Sequence, residues 1–72
     1  MDTEEIAAIA RKHALLNAVK FDGEADLKAV MGKVMAEVKG NAKDVVPVVQ
    51  RVIKEVNGLT LTQQEQEIAV LD

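Results

Sequence analysis

The side chains with chemical reach are few, and their types decide most of what this chain can do. His13 is the sole imidazole, and the sequence contains no Cys, Ser, Trp or Tyr. A nucleophile of the hydroxyl-serine or thiolate kind is therefore excluded, as are thiolate metal sites and disulfides. With no second imidazole or thiol at ligand spacing, and no serine to activate, His13 reads as a partly exposed structural histidine. Among the twelve acids there is no D-x-D or E-x-x-H spacing. Glu4, Glu5, Asp26 and Asp44 are explained by helix starts, where carboxylates complement the helix dipole. No catalytic residue, no metal ligand and no cofactor site is expected in this chain. Phe21 alone is aromatic, so the multi-ring platforms that stack single-stranded nucleic acid are excluded too.

What remains is charge. The formal net charge is −3, but residues 11 to 54 carry all nine bases against five acids, a local excess of +4. The flanks carry seven acids and no base. A basic middle between acidic ends can meet a polyanion locally although the whole molecule is acidic. Within that middle, Lys39-Gly40-Asn41-Ala42-Lys43 leads into a helix amino end, where free N–H groups and the dipole favour an anion. The same residues also read as Gly40 ending one helix and Asn41 starting the next, and that plainer reading is preferred. Lys28, Gly32 and Lys39 fall along one flank of a second helix, and Lys43, Gln50 and Lys54 along the outer face of a third. Gly32 inside a helix costs about 0.8–1 kcal/mol against Ala. Either a neighbouring helix or a ligand backbone should need its small size, and close helix packing is the preferred explanation. The expected phosphate contacts are Lys28, Lys33, Lys39, Lys43, Arg51 and Lys54.

The elements that position these residues follow from spacing and punctuation. With 72 residues, 49% of them apolar and 29% charged, the chain is a single small globular domain. A first helix is expected from about Thr3 to Ala18, with Asp2 and Glu5 resembling a capping box. Residues 19 to 25 form a connection with a turn at Asp22-Gly23. Asp26 caps a second helix whose apolar stripe is Leu27, Val30, Met31, Val34, Met35 and Val38, with Gly40 as its C′ glycine. Asn41 or Asp44 opens a third, faced by Val45, Val48, Val49, Val52, Ile53 and Val56, with Pro47 near its first turn and Gly58 at its close. Thr62 with Glu65 predicts a capping box for a fourth helix over residues 63 to 71, short enough to fray. The fold class is all-α, a small bundle of three main helices plus that short fourth. The longest apolar run, residues 45 to 49, is far below the ~20 residues that span a bilayer. Acids directly after Met1 have the wrong sign for a secretory signal, so the chain reads as cytoplasmic. Asp72 reads as a boundary within a longer chain.

The strings Arg11-Lys12-His13-Ala14-Leu15-Leu16-Asn17-Ala18-Val19-Lys20, Ala29-Val30-Met31-Gly32-Lys33-Val34-Met35 and Ala42-Lys43-Asp44-Val45-Val46-Pro47-Val48-Val49 resemble the start of archaeal-type glutamyl-tRNA synthetases. So does Lys54-Glu55-Val56-Asn57-Gly58-Leu59, running into a Gln/Glu-rich helix. Gly32-Lys33-Val34-Met35 and Lys39-Gly40-Asn41-Ala42-Lys43 are also similar to the helical tail domain of tRNA-dependent amidotransferase B subunits. That tail pattern often reads G-K-A-x-P-K, whereas here Gly40-Asn41-Ala42-Lys43 lacks the proline. The resemblance implies a non-catalytic N-terminal accessory domain of a glutamate–tRNA ligase. Its implied partners are tRNA, the catalytic domain of the same synthetase, and another translation protein as an alternative. ATP and magnesium would belong to the catalytic domain, whose H-I-G-H-like and K-M-S-K-S-like loops are absent from these residues.

Overall fold

The local signals above translate into four helices: α1 (Thr3–Lys20), α2 (Leu27–Glu37), α3 (Ala42–Asn57) and α4 (Leu61–Leu71). The computed structural model describes residues 2–71, and no strand occurs among them. Asp72, the expected boundary, lies outside the described residues. Three of the starts are capped as their side chains demand. Asp2 accepts from the Glu5 N–H at 2.9 Å, Asp26 from the Ala29 N–H at 2.9 Å, and Asn41 from the Lys43 N–H at 3.0 Å. Each takes one of the donors that a helix amino end leaves unpaired.

Helix α1 runs two residues past the expected Ala18. The Phe21 N–H reaches the carbonyls of both Asn17 and Ala18, and the Gly23 N–H returns to Ala18 at 2.6 Å. Asp22 and Gly23 take positive φ, 58° and 99°, which turns the chain back as the Asp-Gly signal requires. Helix α2 ends earlier than the C′ role of Gly40 assumed. Val38 is already extended, at φ −99° and ψ 116°, and Gly40 does not take the left-handed conformation. The valine still points inward, 2% exposed, so burial of Val38 rather than a glycine cap stops the helix. Pro47 sits in the second turn of α3, deeper than expected. It is exposed, so water can serve the Lys43 carbonyl that the missing N–H leaves free.

Helix α4 begins two residues before the expected site. Its capping box is Thr60 with Gln63, not Thr62 with Glu65. Thr60 Oγ1 accepts the Gln63 N–H at 3.1 Å, and the Thr60 N–H donates to Gln63 Oε1 at 2.8 Å. Both pairs satisfy the same pattern, but the turn through Gly58 and Leu59 leaves only Thr60 outside the helix.

Helix α1 is the hub, packed against α2, α3 and α4, and α2 also packs on α3. The core joins Ile6, Ala10, Ala14, Leu15 and Ala18 of α1 to Val30 and Val34 of α2 and to Val45, Val48, Val49, Val52, Ile53 and Val56 of α3. Three buried alanines on α1, Ala10, Ala14 and Ala18, let its neighbours approach closely. Among the described residues, one polar side chain is fully buried. Gln64 of α4 donates through Nε2 to the carbonyls of Val56 (2.8 Å), Gly23 (2.9 Å) and Leu59 (3.4 Å). A single amide thereby closes the end of α3 and holds the α1–α2 turn against α4.

Gly32 does not sit at a close helix contact. A Cβ built there meets nothing within 4 Å, and the residue is exposed. No helix packs against it, so close helix packing does not explain the glycine.

Candidate nucleic-acid interface

Cations divide by what they touch. Arg11 on α1 reaches Glu67 of α4 at 2.6 Å and Glu55 of α3 at 3.9 Å. The next two residues of α1 turn to α2: Lys12 Nζ lies 3.4 Å from Glu37 Oε1, and His13 Nε2 is hydrogen-bonded to Glu37 Oε2. That bond, with Lys12 beside it, holds the Glu37 carboxyl below its ordinary range. His13 thus serves as an inter-helix contact, its side chain only 17% exposed. Arg11, Lys12 and His13 are spent on binding the hub to its three neighbours.

The six residues expected to meet phosphate are all exposed. None is within ion-pair distance of a carboxylate among the described residues. Lys43, Arg51 and Lys54 are brought together. With Pro47 and Gln50 they form the i, i+4, i+7, i+8, i+11 stripe opposite the apolar face of α3. The stripe runs about 16 Å at 1.5 Å per residue. Glu55, on the flank of that stripe, is engaged by Arg11 instead.

The remaining three are dispersed. Lys28 is in the first turn of α2 and Lys33 is five residues on, about 140° around the helix. Lys39 lies beyond the end of α2, so the helical line through Lys28, Gly32 and Lys39 does not form. The amino end of α3 is filled by the chain itself. Asn41 takes the Lys43 N–H with its side chain and the Asp44 and Val45 N–H groups with its carbonyl. The capping reading of this segment therefore accounts for its backbone donors, and Lys39 and Lys43 contribute only side-chain charge.

The structure also joins residues that sequence spacing had left apart. Lys33 of α2 shares a shallow groove with His13, Leu16, Asn17 and Lys20 of α1. The four α1 residues have i, i+3, i+4, i+7 spacing, a signal visible in the sequence once α1 is known to continue to Lys20. Among the described residues, no group of three His, Asp or Glu side chains converges as a metal site would need.

The chain is similar to the glutamate–tRNA ligase of Caldivirga maquilingensis, at 56% identity over 61 residues, which is 81% of this chain and 10% of that protein. It is also similar to those of Pyrococcus horikoshii (42% over 71 residues, 94% of this chain and 12% of that protein) and Pyrobaculum calidifontis (46% over 69 residues, 92% and 12%). No family model matches the chain. No solved structure matches it either. The chain spans about a tenth of the length of the curated relatives it matches. This all-helical chain is thus homologous to one segment of the archaeal glutamate–tRNA ligases.

Proposed function

We propose that this chain is a non-catalytic, N-terminal accessory domain of a cytoplasmic glutamate–tRNA ligase, and that it positions tRNA by contacting its phosphates. The observation that carries the reading is the cationic stripe Lys43, Arg51 and Lys54 on the outer face of α3, without an ion pair among the described residues. Lys28, Lys33 and Lys39 extend the contact at other points. Lysine and arginine placed this way read charge and shape, not base identity. Acylation chemistry, with its ATP and magnesium, belongs to the catalytic domain of the ligase. The identities with glutamate–tRNA ligases favour this over an amidotransferase tail.

Docking to another translation protein is a second reading, supported by α4. Val70 is 80% exposed with Leu71 partly open next to it, and Leu61 stands partly open at the other end of the helix. Helix α2 lends that reading less, because Met31 and Met35 pack against the core.

Titration with tRNA at increasing salt, followed by backbone chemical shifts, tests the proposal. The expected affinity is in the ~10⁻⁴–10⁻⁶ M range of non-specific contacts, with shifts along residues 28 to 54. Replacing Lys43, Arg51 and Lys54 together by Glu should flatten the logarithmic salt slope by roughly 2–3. Absence of shifts at low salt, or equal binding by the triple variant, would transfer the lead to protein docking.

A further inference from the structure

The groove between α1 and α2 has a composition unlike the α3 stripe. Its volume is about 280 Å³, and His13, Leu16, Asn17, Lys20 and Lys33 line it. Its polar offer is almost wholly donors. Asn17 uses Oδ1 to accept the Asp26 N–H at 2.7 Å, which fixes the amide and leaves Nδ2 to donate. Lys20 and Lys33 carry no ion pair among the described residues. Two carboxylates of α2 and its cap are engaged elsewhere: Asp26 caps α2, and Glu37 is held by His13 and Lys12, while Asp22 and Glu24 stand exposed in the turn beyond Lys20. Such a set favours an anion.

The apolar part distinguishes which anion. Leu16 is 49% exposed on the groove wall, and Phe21, the chain's only aromatic, is 56% exposed. Lys20 Nζ stands 5.7 Å from the Phe21 ring centre, so the ring, itself outside the groove lining, is paired with a cation that lines it. A carboxylate-rich peptide would use the cations and leave the ring idle. A nucleotide uses both, its phosphate on the donors and its base on an apolar surface.

We propose that the α1–α2 groove holds one unpaired nucleotide of a bound RNA, with Lys20, Lys33 and the Asn17 amide on its phosphate and Leu16 and Phe21 against its base. This rests on the tRNA-contact reading and adds to it a division of labour. The α3 stripe meets backbone phosphates in general, and the groove selects a strand whose base is free to leave the stack.

Chemical-shift titration of the whole chain with pentauridylate, a short blunt RNA duplex, pentaglutamate and tRNA separates the possibilities. Pentauridylate should move the amides of Leu16, Asn17, Lys20, Phe21 and Lys33. Phe21→Leu should weaken it about tenfold while leaving the duplex unaffected. Lys20→Gln should weaken it as well, and circular dichroism should show both variants folded. The inference is overturned if Phe21→Leu binds pentauridylate like the parent, or if pentaglutamate moves the groove amides as strongly as pentauridylate does. Shifts along residues 43 to 54 with tRNA, but none in the groove with pentauridylate, defeat the groove alone and leave the broader reading standing. Absence of any shift with any RNA defeats both.

Discussion

The cluster at residues 11 to 13 of α1 and the outer stripe of α3 carry the same kinds of cation and use them oppositely. Arg11 and Lys12 on α1 face carboxylates from three other helices, and His13 joins them. Lys43, Arg51 and Lys54 on α3 face no carboxylate among the described residues. Both sets belong to the basic middle of the sequence, two formal charges in the first and three in the second. Only one remains available to a polyanion, because an ion-paired arginine must lose its partner before it can neutralise a phosphate. Counting charge along a sequence overstates a binding surface by the cations that the fold consumes.

The largest test of the inward-facing polar set is Gln64. Gln64→Ala strips one amide from three carbonyls, and a buried unsatisfied group costs about 1–3 kcal/mol. Chemical denaturation should show a loss in that range, with the α1–α2 turn and α4 loosening together in hydrogen exchange. A loss below about 0.5 kcal/mol would mean the carbonyls find water and the amide is no clamp.

Arginine on the two helices gives the direct comparison. Arg11→Gln should lower stability by about 0.2–1 kcal/mol, the range for a solvent-accessible ion pair, and leave the salt slope of tRNA binding unchanged. Arg51→Gln should do the reverse, with stability within about 0.5 kcal/mol of the parent and a slope reduced by roughly 0.7–0.9. Thermal melts paired with salt-dependent titrations read both quantities, and equal behaviour of the two variants would erase the distinction.

A smaller gain is expected at Gly32. Since a Cβ there meets nothing within 4 Å, Gly32→Ala should stabilise α2 by about 0.4–1 kcal/mol by limiting the unfolded chain. A loss of stability would restore the idea of a close approach. If stability rises but RNA binding falls, the open glycine is serving a ligand.

The gentlest probe is pH. Glu37 is held below its ordinary value chiefly by the His13 hydrogen bond, with Lys12 adding to it. A carboxyl lowered in the folded state contributes stability above its unfolded pKa and loses it as pH falls through the folded one. Acid titration below the ordinary Glu range should therefore weaken the α1–α2 contact. Glu37→Gln should flatten this part of the stability–pH curve, and an unchanged curve would show that the contact carries no linkage.

How legible all this was depends on range. The helix starts at Asp2, Asp26 and Asn41 were readable because a cap bonds two or three residues away. The inward valines of α3 were readable because a 3.6-residue period is a local property. Exposure of the helical phosphate-contact candidates followed from the same period, whereas Lys39 is exposed beyond the end of α2. Thr62 was expected where Thr60 caps because two overlapping boxes satisfy one pattern, and only the turn through Gly58 and Leu59 separates them. Gly32 misled because the cost of a helical glycine is local, whereas what surrounds it is not.

Sequence by itself determined the helices, the caps of the first three and most of the apolar core, since these are set by neighbours within a turn or two. Tertiary structure alone decided which cations are free, through pairs such as Arg11 with Glu67, 56 residues apart. It alone buried Gln64 against Gly23, 41 residues away, and set Lys33 across a groove from Lys20. The physical reason is that a side chain's propensity is fixed by its own backbone, while its partner is fixed by which helix faces it, and that is settled only when α1 gathers the other three around its alanine-lined core.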